Sequence, residues 1–210
     1  MRAIFTFHSV DDKGSVISCR PQYFSMLLET LIARNIPVLD LSTLLRPETQ
    51  KGVAITFDDG MRSVYQNALP VIRKHGVPAH LFLATAAVEG NRPWPRNPVD
   101  GHTFDMLGWG EIEALRECGV LIESHTHLHP DMRTLTVAQM DEECGYADDM
   151  IESKLGRRPE YFAYPFGYHN KIVRDRVRQL YKGTVTTELR QLRVREDTAA
   201  LPRIDTYYLQ

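Results

Sequence analysis

The sequence predicts an α/β fold, a small barrel of mainly parallel strands with helices outside it. Three observations carry that reading. Apolar runs rich in β-branched and aromatic residues alternate with amphipathic helical runs along the chain, as in a sheet built from strand–helix units. About eight strand candidates fall within 210 residues, which suits a small closed sheet. The composition, 43% hydrophobic and 25% charged without a clear repeat or low-complexity tract, suits one globular domain over residues 1–210.

The first strand is "RAIFTF" (2–7). "FSMLLETLIARN" follows, with Phe24, Leu27, Leu28, Leu31 and Ile32 on one helical face. "IPVLDL" and "VAITF" (53–57) read as strands, and "RSVYQNALPVIRKHG" as a helix that ends at Gly76 and is kinked or split by Pro70. "PAHLFLAT" is the next strand, "WGEIEALRECG" a helix closed by Gly119, and "VLIES" (120–124) a strand. "TVAQMDEECGYADDMIESKLG" opens with Thr136 and Gln139 placed as a capping box and ends at Gly156. "EYFAYP", "GTVTT" and "ALPRI" complete the strands. Residues 89–108, rich in Pro, Gly and Asn, form a long loop of the kind that often carries function.

A net charge of -2 gives no reason to expect nucleic acid as a partner. Residues 171–195 carry eight Lys/Arg against Asp175 and Glu188. They read as a solvated helix face and loop, or as a docking surface for an anionic polymer or carrier. Cys19, Cys118 and Cys144 are odd in number and widely separated, unlike a disulfide framework or zinc knuckle. Cys118 and Cys144 fall at helical positions and read as core residues. No run reaches the roughly 18 apolar residues of a membrane span, and no apolar stretch near Met1 resembles a signal peptide. As written the chain reads as cytoplasmic; it would read the same with a leader already removed, and be extracytoplasmic.

Two stretches carry chemistry. In "AITFDDGMRS", Asp58 and Asp59 end an apolar strand just before Gly60. Neighbours in a strand point to opposite faces, but a turn at glycine can swing both carboxylates toward one site. The plain alternative is a solvated Asp-Asp-Gly turn. "SHTHLHPDM" places His125, His127 and His129 directly after a strand. His125 and His129 are spaced i, i+4, so a helical turn would put both rings on one face, with His127 pointing elsewhere. Both stretches lie at strand C-termini, where the active sites of α/β barrels gather. Two imidazoles and one carboxylate leave an open position on a zinc-like ion. The second carboxylate is then free to act as general base. Metal-assisted hydrolysis follows as the reaction class.

"TFDDG" followed by "SHTHLHPDM" resembles the polysaccharide deacetylase family, the NodB-like carbohydrate esterases. The first motif stands intact as Thr56–Gly60, and the second, H-[S/T]-x-x-H-[S/P], as His125–Pro130. The resemblance runs from about residue 3 to residue 204 and implies a distorted (β/α) barrel of seven or eight strands. It implies Asp59, His125 and His129 as metal ligands, for Zn²⁺ first and otherwise Co²⁺, Ni²⁺ or Mn²⁺, and Asp58 as the base for the attacking water.

The third motif of the family, R-x-x-P-[YFW], stands here as "FAYPFG" (162–167), with Phe162 in place of the arginine. That form resembles exopolysaccharide and poly-N-acetylglucosamine deacetylases. Pro165 and Phe166 match, so the resemblance makes the Phe166 N–H the oxyanion donor. Arg203 in "LPRID" is the candidate to replace the missing arginine, with a surface salt bridge as its alternative. The late L-x-H motif is absent, since no histidine follows residue 169. His8, ending the first strand in "FTFHSVDD", is the candidate to protonate the leaving amine, with a core or capping role as its alternative. Trp94, Trp109, Tyr164 and Tyr168 are candidate stacking faces for sugar, Trp109 with packing at a helix start as its alternative, and Tyr164 and Pro165 are expected at the pocket. The expected activity is deacetylation of an N-acetylated amino sugar in a polysaccharide, glycolipid or lipid-linked precursor. A hydrolase of small non-sugar amides and a non-catalytic carbohydrate-binding protein are the alternatives.

Overall fold

A computed structural model describes residues 1–90, 94 and 99–206. The chain runs β1 (Arg2–Phe7), the short strands β2 (Ser9–Val10) and β3 (Ser18–Cys19), α1 (Pro21–Ala33), α2 (Leu41–Leu44) and β4 (Gly52–Asp59). It continues through α3 (Leu69–His75), β5 (Ala79–Leu83), α4 (Trp109–Glu117), β6 (Val120–Ser124) and α5 (Val137–Leu155). It ends with β7 (Tyr161–Ala163), α6 (Lys171–Val177), β8 (Gly183–Leu189) and β9 (Leu201–Asp205). Seven strands, β1 and β4 to β9, close a barrel in chain order, every neighbouring pair parallel. All seven therefore end at one rim.

Alternation of side chains sorts the strands into two cores. Ile4, Ala54, Phe82, Tyr161, Ala163, Val185 and Leu201 fill the barrel. Ala3, Phe5, Phe7, Val53, Ile55, Phe57, Leu81 and Leu83 point outward and meet α1 through Phe24 and Leu28, α3 through Ile72 and α4 through Ile112 and Leu115. Apart from the exposed end of β8 at residues 187–189, both faces of the strands are largely buried, so most strands read as continuous apolar runs.

The eighth strand candidate, "IPVLDL", is not a strand. Val38 makes one parallel bridge to Val53, with Leu39 N on Val53 O at 2.8 Å and Val53 N on Pro37 O at 2.9 Å. β5 first pairs with β4 at Thr56, so the start of β4 has an open edge that this segment occupies briefly. Asp40 then caps α2, accepting from Thr43 N at 3.0 Å. Pro70, expected to kink or split its helix, leaves it continuous but changes its winding. The chain makes a π-turn over Val64–Ala68, and α3 starts with the proline in its first turn, where no N–H is needed. The capping box of α5 is formed: Gln139 N donates to Thr136 Oγ1 at 3.3 Å and Thr136 N to Gln139 Oε1 at 2.9 Å.

The seam between β6 and β7 is the narrowest in the barrel, with a single ladder pair, Ser124 with Phe162. Side chains of three consecutive residues on β6 and just beyond stitch around it. Glu123 Oε2 accepts from Glu160 N (2.7 Å) and Tyr161 N (3.0 Å). Ser124 Oγ meets the Tyr181 hydroxyl at 3.1 Å, which also donates to Asp148 Oδ1 at 2.9 Å. His125 Nδ1 bonds Ala163 O at 2.8 Å.

Burial pushes the Asp148 carboxyl up to about 6, despite the hydrogen bonds from Ser124 and Tyr181 and the nearby Arg158, which lower it. An acid whose pKa is raised on folding stays protonated in the native chain where the unfolded chain has already ionised. Its cost is absent below the ordinary value of 3.8, grows as pH rises from there, and is complete above about pH 6. Asp148→Asn should therefore gain about 2–3 kcal/mol on the native chain between pH 4 and pH 7. Denaturant unfolding of both proteins at each pH measures this. An unchanged difference would show that the ionised carboxylate is not the source.

Candidate active site at the strand C-termini

Five of the seven barrel strands, β1, β4, β6, β7 and β9, deliver the site at or just past their C-terminal ends, and the local backbone explains how. Asp58 and Asp59 close β4, and Asp59 itself is left-handed (φ 72°), as is Gly60 (φ 99°). The left-handed φ of Gly60 suits glycine, and a Cβ there would also meet Leu83 Cδ1 at 2.6 Å. Asp58 stays on the inner face of the barrel in phase with Ala54 and Thr56, while the turn redirects Asp59 to the rim.

His125 and His129 do come together, but not on a helical turn. Thr126 (φ 66°) and His129 (φ 58°) are left-handed, and Thr126 Oγ1 accepts from His129 N at 3.0 Å. Glu143 on α5 fastens this tight loop, accepting from His127 N (3.1 Å) and Leu128 N (2.7 Å). His127 points elsewhere, as the spacing predicts, with Nδ1 at 2.9 Å from Thr85 Oγ1. Non-glycine residues at positive φ cost of order 1–3 kcal/mol each and gather where geometry matters. Asp59, Thr126, His129 and Phe166 (φ 60°) are four of them here.

Asp59 Oδ1 lies 3.3 Å from His125 Nε2 and 3.6 Å from His129 Nε2, and the two Nε2 atoms are 3.1 Å apart. His125 Nδ1 donates to Ala163 O, which turns its Nε2 toward Asp59 and His129; burial lowers the His125 ring, but the Asp59 hydrogen bond and the two nearby carboxylates outweigh it and hold the ring above its ordinary value. Burial and the neighbouring His125 charge push His129 down to about 4, leaving its ring neutral near pH 7. Burial raises the Asp59 carboxyl, but the His125 hydrogen bond and the surrounding imidazoles outweigh it and hold the group far below the carboxylate range. One carboxylate oxygen and two imidazole nitrogens converge on one point. This donor set fits a divalent cation such as Zn²⁺, for which it supplies three ligands and leaves a position open.

Asp58 stands beside this set in a different environment. Arg203, from β9, is 1% exposed and grips it in a fork, Nη1 on Oδ1 at 2.7 Å and Nη2 on Oδ2 at 2.6 Å. Arg203 Nε donates to Thr186 O at 2.9 Å and Nη1 reaches Thr56 Oγ1 at 3.3 Å. Burial raises the Asp58 carboxyl, and the Arg203 charge and hydrogen bonds more than reverse that, holding it below its ordinary value. His8 follows β1, with Nε2 at 4.0 Å from Asp58 Oδ2. Phe166 turns back over the site after β7, its ring 4.6 Å from that of His129. Gly167 makes that turn possible, since a Cβ there would lie 2.1 Å from Thr187 Oγ1.

The structure thus brings Asp58, Asp59, His125, His129, His8, Phe166 and Arg203 to one rim, with the Trp94 ring 5.1 Å from that of His129. Two expected pocket residues are corrected. Tyr164 is fully buried, its hydroxyl donating to Ala199 O at 2.9 Å and accepting from Thr184 Oγ1 at 3.1 Å, so it offers no face to a sugar. Pro165 is buried too and serves as the start of the Phe166 turn. Glu143, Thr186 and the Ala163 carbonyl were not anticipated. Their roles arise from contacts between distant segments, and none belongs to a motif. The basic segment carries little free charge: Lys171 pairs with Asp175, Arg176 with Asp141, Arg178 with Asp197, Lys182 with Glu160 and Arg190 with Glu196.

Residues 46–183 match the family model for polysaccharide deacetylase. A poly-beta-1,6-N-acetyl-D-glucosamine N-deacetylase from Staphylococcus epidermidis is 23% identical, the match covering 89% of this chain and 67% of that protein. A chitin deacetylase from Colletotrichum lindemuthianum is 31% identical over 137 residues, 65% of this chain and 49% of its own. The fold is that of IcaB from Ammonifex degensii, with a TM-score of 0.83 over 99% of this chain and 94% of that one at 21% identity. The chain spans less than half the length of two Bacillus subtilis relatives that it matches, 46% of one and 32% of the other.

Proposed function

The chain belongs to the polysaccharide deacetylase family, and from that premise we propose that it is a metal-dependent hydrolase removing the acetyl group from an N-acetylated amino sugar of a glycan. The observation that carries the reading is the convergence of Asp59, His125 and His129 within reach of one ion, directly beside a separate carboxylate locked by arginine. A carbohydrate-binding protein has no use for that pair of environments.

Bound by those three side chains, a divalent cation would polarise the acetyl carbonyl and make the attacking water more acidic. Asp58 accepts a proton from that water. The Arg203 fork fixes both its oxygens, so the carboxylate does not have to find its orientation at the moment of reaction. Because Asp58 is held low, it parts readily with the proton it gains. The Phe166 N–H, aimed by the left-handed turn, donates to the oxyanion that forms as the carbonyl carbon becomes tetrahedral. His8, 4.0 Å from Asp58, protonates the amine nitrogen as the C–N bond breaks. Water and the amide are consumed, and acetate and a free amine are released.

Acetate release from N-acetylglucosamine oligomers tests this, using chain stripped by chelator and then given Zn²⁺ or Co²⁺. The expected result is release only after metal is restored. One metal bound per chain with no acetate from any oligomer would overturn the reading. Replacing His129 by alanine removes one ligand of three. Metal affinity should fall by more than the about 10- to 100-fold that losing an outer hydrogen-bond partner costs. A competition titration with a metal-binding dye measures it, and unchanged affinity would remove His129 from the ligand set.

A further inference from the structure

A group of cations that the proposed chemistry does not use lies at the other end of the barrel. The candidate site sits where the strands end. β1 begins at Arg2 and β4 directly after Lys51, so both residues stand at the far rim. Contacts between four segments gather more cations there. Arg2 Nη2 donates to Leu44 O at 2.6 Å, two residues before Arg46, and Arg2 Nη1 to Arg193 O at 3.3 Å. Lys51 Nζ donates to Arg34 O at 3.4 Å, and Gly52 N to Met1 O at 3.1 Å. Arg195 follows two residues after Arg193.

Among the described residues, Arg2, Arg34, Arg46, Lys51, Arg193 and Arg195 form no ion pair. All but Arg2 are exposed. Residues 46–51 hold one acid, Glu48, and 190–195 none; Glu196 is taken by Arg190. The basic segment 171–195 therefore divides by use. Its earlier cations are spent on internal pairs, whereas Arg193 and Arg195 join cations from elsewhere in the chain. Like charges crowded on one face raise the free energy of the folded chain, and an anionic partner relieves them.

The arrangement favours one kind of partner. Charge runs across the whole face, whereas protein interfaces lose charge toward their centre. The cations stand on separate connections rather than along one track, which suits a plane of headgroups better than a single polyanionic strand. Guanidinium forks match phosphate oxygens. Val194, between Arg193 and Arg195, is 80% exposed, and basic residues interleaved with apolar ones suit a lipid interface.

We propose that this face is a docking surface for an anionic lipid bilayer, its cations on headgroup phosphates and Val194 at the acyl boundary. A chain seated in this way turns the candidate active site away from the bilayer.

The full chain is sedimented with vesicles of phosphatidylglycerol and phosphatidylcholine in equal parts, and with vesicles of phosphatidylcholine alone. Binding is expected only to the anionic vesicles. It should be lost at about 1 M salt, where the screening length is about 3 Å. Arg46→Gln, Arg193→Gln and Arg195→Gln combined should weaken it by about 100-fold, at about fivefold per charge removed, with the melting temperature of the wild type. Lys171→Gln, Arg178→Gln and Lys182→Gln combined remove the same charge from paired positions and should leave binding near the wild-type level. Equal binding to both vesicle types, binding to neither, or an equal loss in both combined variants would overturn the proposal. Binding of polyphosphate without binding of anionic vesicles would assign the face to a soluble polyanion and reject the bilayer. Acetate release plays no part in the test, so its outcome is independent of the deacetylase reading.

Discussion

Asp58→Asn should lower kcat by about 10²–10⁴-fold, the span attributed to a positioned general base, while leaving the metal affinity of Asp59, His125 and His129 nearly unchanged. The substitution keeps the side-chain shape beside Arg203 but removes the ability to take a proton. Asp58 is not one of the three converging ligands, so a Co²⁺-loaded variant should keep the absorption spectrum of the native site. Two other outcomes would be informative. Retained turnover would mean that another group takes the proton. Lost metal affinity would mean that Asp58 and Asp59 had been assigned the wrong way round.

Arg203→Met should destabilise the fold by about 3–5 kcal/mol, because it leaves the buried Asp58 carboxylate without its partner. Arg203 is the largest of the fully buried side chains. It lies inside the barrel with its guanidinium 5.8 Å from the Phe82 ring. Arg203→Met combined with Asp58→Asn removes the charge on both sides. The double variant should be considerably more stable than the two single losses added together, since buried pairs are often replaceable whole but not by halves. Arg203→Lys should rescue poorly, because an ammonium cannot reproduce two parallel bonds to one carboxylate. Urea unfolding of the four proteins gives the coupling directly. Additive losses would place the ion pair outside the energetics of the fold.

The pair also bears on the arginine that the third motif lacks here. Where the third motif of the family carries arginine, this chain has Phe162, which is fully buried and packs on Tyr164 and Tyr181. Arg203 reaches the Asp58 carboxylate from β9, across β1. Asp58 and Arg203 are 145 positions apart in sequence, and only closure of the barrel makes them neighbours.

Local pattern determined much of this protein. The strand–helix alternation and the capping box at Thr136 depend on neighbouring residues and were legible. The convergence of Asp59, His125 and His129 was legible as well, because they sit in two short motifs at strand ends. Tertiary structure decided what depends on separation in space. It left "IPVLDL" outside the barrel, because β5 begins too late along β4 to cover the edge that Val38 bridges. It buried Tyr164 and exposed Tyr168, four residues further on, because the Gly167 turn carries the chain over the rim. It gave Thr126 and His129 left-handed backbones where the i, i+4 spacing suggested a helical turn, since Glu143 on α5 holds that loop by its amides. Spacing along a chain states which side chains can meet; only packing fixes the faces they turn toward one another.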